Sequence, residues 1–312
     1  MTIRVERYDE RMKEVWNSFV ANSKNGVFLF NRNYMDYHSD RFKDHSLMFY
    51  DSAGLLCIMP AAIKDDTLYS HNGLTYGGII SNEKMSAATM LEVFAKMREY
   101  LSGIGVKKLI YKPVPHIYHS LPAEEDLYAL FRNKALLIRR DVSSTIFSGK
   151  RLEFTKERRY GIRRCKASGI EIRQDYDFKG FMKLVEEVLA SRHNVKPVHT
   201  GDEMELLASR FPENIKLFCA FKGDKRLAGA IVYESQNVAH VQYMANSDEG
   251  RKVFALDGVV SYLIDEYYKD KRYFDFGIST ESQGWVLNEG LIRQKEGFGA
   301  RATVYDMYEM LV

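Results

Sequence analysis

The residues with the most to offer chemically are cations. In the segment 153–168 (EFTKERRYGIRRCKAS), Lys156, Arg159, Arg163 and Lys166 recur at intervals of three or four. A helix advances about 100° per residue, so all four fall on one stripe. Phe154, Gly161, Ile162 and Cys165 lie roughly opposite, where they can pack on a core. Neighbouring like charges on a helix repel by about 0.2–0.5 kcal/mol per close pair. The stripe therefore calls for anions, either protein carboxylates or a bound phosphate. Guanidinium groups take phosphate bidentately, which suits a pyrophosphate-bearing substrate or an RNA backbone. The plainer alternative is a solvated face laced with internal ion pairs.

A second anion site is expected in the loop Asn246–Gly258, which leads into an apolar helical pattern. A helix N-terminus offers free N–H groups and partial positive charge. Gly250 would permit close approach, and Arg251 and Lys252 add charge. Acid–base candidates flank this loop. In HVQYMANS, strand alternation places His240, Gln242 and Met244 on one face and Val241 and Tyr243 on the other. His240 suits proton transfer from an amine near neutrality. Tyr243 could protonate a leaving thiolate or hydroxyl. Asp275 stands between Phe274 and Phe276, where a buried carboxylate needs a partner. It is a candidate general base, a ligand for a substrate ammonium, or a structural partner of Lys295, which is itself a candidate phosphate ligand. In the first half, Tyr76 and Lys112 are expected to line a groove for the acceptor. His116 and His119 lack a third ligand, so no metal site is expected.

The elements that must hold these residues are legible from periodicity. TIRVERYD reads as a strand; Asp9 caps a helix carrying Val15, Trp16 and Phe19. LMFYDS, LLCIMPAAIKDD and TLYSH follow as strands, then a helix over about 82–102, the strand KKLIYKPVP, the helix EEDLYALFRN and the strand KALLIRRDVSSTI. The second half repeats that order. IEIRQD is a strand, helices follow from Phe178 and from a Thr200 cap, and IKLFCAFKGD, RLAGAIVYESQ and VAHVQYMANS form a meander. A helix from Leu256, the strand RYFDFGIST, a short helix and ATVYDMYEMLV close the chain. Both halves thus give an α/β architecture of mixed sheets flanked by helices, with domains expected at 1–148 and 149–312.

Length supports this division, because 312 residues suit about two domains of ~100–200 residues each. A composition 46% hydrophobic and 28% charged excludes a disordered chain. The net charge of +3 excludes a general nucleic-acid coat but not a local patch. Three scattered cysteines exclude a disulfide framework and fit a reducing cytoplasm. No apolar run is long enough to span a membrane. No Gly-x-Ser-x-Gly elbow is present, so any acyl chemistry would go by direct attack, without a covalent enzyme intermediate.

Three motifs carry a family likeness. ERRYGIRRCKASGIEI is similar to the Arg-rich helix, turn and strand of the Fem-type transferases (FemA, FemB, FemX). YFDFG, Tyr273–Gly277, resembles their penultimate β segment, and RQKEGFGA, Arg293–Ala300, resembles the Lys-x-x-Phe-Gly signature after it. The chain also resembles GNAT-type acyltransferase domains of bacterial polysaccharide gene clusters. The resemblance implies two tandem GNAT-like domains, the first on the acceptor side and the second holding the donor at Gly250, Arg251 and Lys252. It implies acyl or aminoacyl transfer to an amine on a phosphate-bearing cell-envelope or polysaccharide precursor. The coiled-coil arm of the FemA-type members is absent, and so is the Arg/Gln-x-x-Gly-x-Gly/Ala phosphate loop. Acyl-CoA and aminoacyl-tRNA therefore both stand as donors. A ligand-binding protein that has lost catalysis is the alternative outcome.

Overall fold

A computed structural model of the chain describes residues 3–70, 72–193 and 195–312. It divides into two compact units, one of residues 1–141, 282–285 and 304–312 and the other of residues 142–281 and 286–303. Each has its own apolar core.

The first unit begins with β1 (Arg4–Arg7), α1 (Lys13–Ala21) and α2 (Arg32–Met35). There follow β2 (Leu47–Asp51), β3 (Gly54–Met59), β4 (Ala62–Lys64), β5 (Thr67–Tyr69) and β6 (Ile80–Ser81). α3 (Ala87–Gly103), β7 (Lys108–Tyr111), α4 (Glu125–Arg132) and the start of β8 (Leu136–Phe147) complete that stretch. The run LLCIMPAAIKDD, expected as one strand, is two. Pro60 has no N–H to continue a ladder, and the chain changes sheets there: β3 pairs with β2 and β6, while β4 pairs with β5. Met90, Phe94, Met97 and Leu101 form the buried stripe of α3, as their spacing requires.

In the second unit come α5 (Lys156–Ala167), β9 (Glu171–Asp175), α6 (Phe178–His193) and α7 (Gly201–Arg210). The meander β10 (Ile215–Lys222), β11 (Lys225–Glu234) and β12 (Val238–Asn246) leads to α8 (Asp248–Lys252) and α9 (Ala255–Tyr262). β13 (Tyr273–Ile278), the hairpin β14 (Thr280–Glu281) and β15 (Val286–Leu287), α10 (Glu289–Glu296) and β16 (Arg301–Leu311) end the chain. β9 through β12 run antiparallel, β12 and β13 are parallel, and β13 pairs antiparallel with β8. Thr200 caps α7 in a full capping box with Glu203.

α5 and α9 cross closely on one face of this sheet because both carry glycine at the contact. A Cβ on Gly258 would stand 2.4 Å from Cys165 Sγ, and one on Gly161 would stand 2.8 Å from Phe254 Cδ1. Neither position has room for a methyl group. Gly258→Ala is expected to lower stability by about 1–3 kcal/mol through overpacking. Urea unfolding checks this, and an unchanged midpoint would mean that the helices separate freely.

Candidate active site

The centre of the second unit is a buried carboxylate. Asp275 on β13 is fully buried. Its Oδ1 accepts hydrogen bonds from Ser143 Oγ at 2.6 Å and Thr145 Oγ1 at 2.7 Å, both on β8. Its Oδ2 lies 2.7 Å from His240 Nδ1 on β12 and also accepts from the Gly277 N–H at 3.3 Å. Register explains the convergence, since Thr145 and His240 both pair directly opposite Asp275 and so share its face. Burial pushes the carboxyl pKa up. The hydrogen bond and charge of His240, with the two hydroxyls, outweigh burial and hold it below the ordinary carboxylate range. An ionised Asp275 fixes a proton on His240 Nδ1 and leaves Nε2 as the acceptor.

Of the three roles open to Asp275, the geometry fits a structural one, with His240 as its hydrogen-bond partner and the Lys295 charge acting on it without a direct bond among the described contacts. A carboxylate with no exposed surface touches no substrate. Lys295, expected to bind phosphate, is itself buried, and its Nζ donates to the carbonyls of Gly277 at 2.9 Å and Ile278 at 2.8 Å. It ties α10 to the end of β13. Phe298 packs on Phe154 and Phe276. Gly299 turns at φ +86° against the Leu152 carbonyl. The Lys-x-x-Phe-Gly motif therefore braces the site from behind.

Tyr243 shares a face with His240, contrary to simple alternation. His240 pairs with Tyr233 and Tyr243 with Ile231, but Val241 pairs with Val232, so Gln242 is an extra residue that bulges from the strand. The bulge rotates everything after it by one place. Tyr243 is half-buried, with its phenol 2.7 Å from His199 Nδ1 and accepting from the His199 N–H at 3.2 Å. Burial raises its pKa, so the phenol stays protonated at neutral pH. His199 was not among the expected site residues. Its one signal is its place immediately before the Thr200 cap.

The parallel ladder of β12 and β13 covers only Val238, Ala239 and His240 opposite Tyr273, Phe274 and Asp275. Beyond the His240–Asp275 pair the two strands no longer match in register, although β12 continues to Asn246. The histidine thus stands where the sheet opens.

The anion sites differ in how well they match expectation. Lys156, Arg159, Arg163 and Lys166 are all exposed on α5, with Gly161, Ile162 and Cys165 buried opposite. Arg159 pairs with Glu153 at 2.9 Å. Of the two cations off the stripe, Arg158 turns inward to Asp257 of α9 at 2.7 Å, while Arg164 is exposed. Gly250 does not offer itself to a ligand, because a Cβ there would lie 2.3 Å from Asn246 Oδ1 and 2.5 Å from the Leu227 carbonyl. Arg251 folds back on the Asn246 carbonyl at 2.8 Å. Lys252 alone of the three is exposed. These residues do not form a pyrophosphate cradle.

In the first unit, Tyr76 is buried against Phe30, Tyr118 and Tyr305 and belongs to the core rather than to a groove. Lys112 is partly buried, and burial, opposed by Asp141, lowers its pKa to about 8. Among the described residues no group of three or more His, Cys, Asp or Glu side chains could hold a metal. No helix there is long and apolar enough to cross a membrane.

Residues 153–283, which contain α5, His240, Tyr243 and Asp275, match the family model Acetyltransf_6, described as an acetyltransferase (GNAT) domain. This segment thus carries the sequence pattern of a GNAT domain. The whole chain superposes on FemX with a TM-score of 0.70 at 11% identity, covering 99% of this chain and 97% of that one. The C-terminal domain (DUF2156) of a putative lysylphosphatidylglycerol synthetase from Agrobacterium fabrum gives a TM-score of 0.61 at 11% identity, over 96% and 91% of the two chains. A tandem GNAT protein from the clavulanic acid biosynthesis pathway gives 0.52 at 10% identity, over 99% and 98%. No curated protein sequence matches. The likeness to solved structures is one of fold, and the fold is the tandem GNAT, Fem-like one that the motifs led us to expect.

Lys295 supplies a pH test of this geometry. Burial, opposed by the charge of Asp275, lowers its pKa to about 8. Between about pH 8 and its ordinary value near 10.5 the unfolded chain holds more protons than the folded one, so this group's contribution to stability rises with pH. Lys295→Met should remove about 1 kcal/mol or more of the gain between pH 7 and 9.5. Urea unfolding of both proteins at the two pH values measures it. Parallel pH dependences would place the ammonium in solvent.

Proposed function

We propose that the chain is an N-acyltransferase that moves an acyl or aminoacyl group onto an amine of a phosphate-bearing cell-envelope or polysaccharide precursor. The observation that carries this reading is the His240–Asp275 pair, seated at the opening of β12 and β13 within the GNAT-matched segment. The amine nitrogen attacks the acyl carbonyl carbon, and His240 Nε2 takes the proton that the nitrogen sheds. The bond from the carbonyl to the leaving sulfur or oxygen then breaks. Tyr243, kept protonated, gives its proton to the leaving group and regains one from solvent or His199. Strand N–H groups where the sheet opens would steady the developing oxyanion.

The donor is an activated ester or thioester. Aminoacyl-tRNA is favoured over acyl-CoA, because the Gly250–Arg251 segment packs on its own chain while the α5 stripe stands exposed. That stripe would hold phosphates of the donor or the precursor. The N-terminal half would supply the acceptor side. A protein that binds such ligands without chemistry would keep the stripe and have no use for the buried dyad.

Thermal-shift screening against acyl-CoAs, nucleotide-sugar precursors and charged tRNA identifies the ligand class, since a ligand at 100 times its Kd adds about 2.7 kcal/mol. With the responding donor and acceptor, His240→Ala is expected to lower kcat by about 10²–10⁴-fold. Arg159→Ala with Arg163→Ala should instead weaken binding of the phosphate-bearing ligand and leave the fold intact. Full turnover by the His240 variant would sink the acid–base assignment, and unchanged affinity in the double variant would make the stripe a solvated face.

A further inference from the structure

The first unit carries an apolar patch that no part of the chemistry above uses. α4 ends at Arg132 and the chain turns tightly, with Ala135 N–H bonding the Leu130 carbonyl and Lys134 at φ +56°. On either side of this turn Phe131 is 74% exposed and Leu136 65% exposed. Leu137 and Ile138 are also exposed, so both faces of β8 lack cover at this end. Trp285 is 86% exposed, and with Leu137 and Ile138 it lines one shallow cavity of about 160 Å³. Single exposed apolar residues are ordinary; Leu137 and Ile138 gathered with Trp285 around one cavity, with Phe131 and Leu136 exposed on the turn that leads into it, mark an interaction surface.

Charge selects the partner. Residues 127–140 (LYALFRNKALLIRR) contain four cations and no acid. Arg139 and Arg140 are paired, with Asp141 at 2.8 Å and Asp306 at 2.7 Å, whereas Arg132 and Lys134 remain exposed beside the patch. A second copy of this chain would bring these cations against their own kind across a symmetric contact. An anionic bilayer meets both needs. Tryptophan and aliphatic side chains enter the boundary between headgroups and acyl chains, while Lys and Arg stems extend to the lipid phosphates. Each cation near such a surface adds attraction that salt screens.

We infer that Phe131, Leu136–Ile138 and Trp285, with Arg132 and Lys134, form a docking surface for an anionic membrane. The chain lies on this membrane without spanning it. The surface is independent of the acyltransfer site, and its test needs no substrate. Trp285 is its own reporter, because the other tryptophan, Trp16, is fully buried. The full chain is titrated with vesicles of phosphatidylcholine alone and with vesicles in which about one third is phosphatidylglycerol. The expected result is a blue shift of Trp285 emission and co-sedimentation at least about tenfold stronger with anionic vesicles, falling as salt is raised. Trp285→Ser with Phe131→Ser should cut partitioning about tenfold or more with the far-UV spectrum unchanged, and Lys134→Glu should weaken the preference for phosphatidylglycerol. No blue shift and no co-sedimentation at low salt overturns the proposal. So does a blue shift without vesicles that tracks protein concentration and dimer formation, which would make a second copy the occupant.

Discussion

The ionised carboxylate of Asp275, buried without exposed surface, is the constraint around which the second unit is organised. A charge in such a place is tolerated only when hydrogen bonds replace the water it has lost. Four groups from three adjacent strands do so: Ser143 and Thr145 on β8, His240 on β12, and the N–H of Gly277 on β13. Removing any one would leave a buried acceptor underserved. The same arrangement sets the imidazole tautomer and turns Nε2 away from the carboxylate, on the side of Gly277. The contacts that satisfy the carboxylate are the ones that hold the imidazole in place.

What the histidine faces depends on a failure of regular pairing. Had β12 continued in register beside β13, its ladder groups would be consumed and the sheet would be closed at His240. The pairing stops there, and the bulge at Gln242 turns the outer half of β12 by one position. Tyr243 therefore lies on the histidine's side, where His199 holds its phenol. Bulges increase local twist and re-aim side chains, and this one places a second proton-bearing group within three residues of the first.

Most elements could be read from the sequence because their patterns are local. The α3 stripe, the Thr200 capping box and the β10–β12 meander follow from spacing and turn residues alone. The α5 helix was legible down to its two faces. Other features depend on residues far apart in sequence. Nothing near Asp275 announces that Ser143, Thr145 and His240 will surround it, since those partners lie 35 to 132 residues away. The bulge defeats a period-two reading for the same reason, being fixed by pairing with β11. Lys295, Tyr76 and Gly250 share another cause. Their types suit ligands, but each is consumed by packing: Lys295 by two carbonyls, Tyr76 by an aromatic cluster, Gly250 by a close approach of the backbone.

The charge of α5 shows how a fold separates structural cations from available ones. Residues 150–173 hold nine Lys or Arg against three Glu, about +6 in a chain whose total is +3. Arg151 and Arg158 reach carboxylates in or beside α9, at Asp265 and Asp257. Arg158 is mostly buried, so that pair is part of the helix–helix contact. Arg159 and Arg173 pair with Glu153 and Glu171, but all four side chains are well exposed. Pairs of this kind contribute about 0–1 kcal/mol and exchange readily for another anion. Lys150, Lys156, Arg163, Arg164 and Lys166 have no ion pair among the described residues. A helix needing only core packing would have no reason to keep four unneutralised cations, Lys156, Arg163, Arg164 and Lys166, alongside those it uses. The mutual repulsion is relieved when a polyanion lies along the helix, and that gain is largest for a ligand with several phosphates in a row.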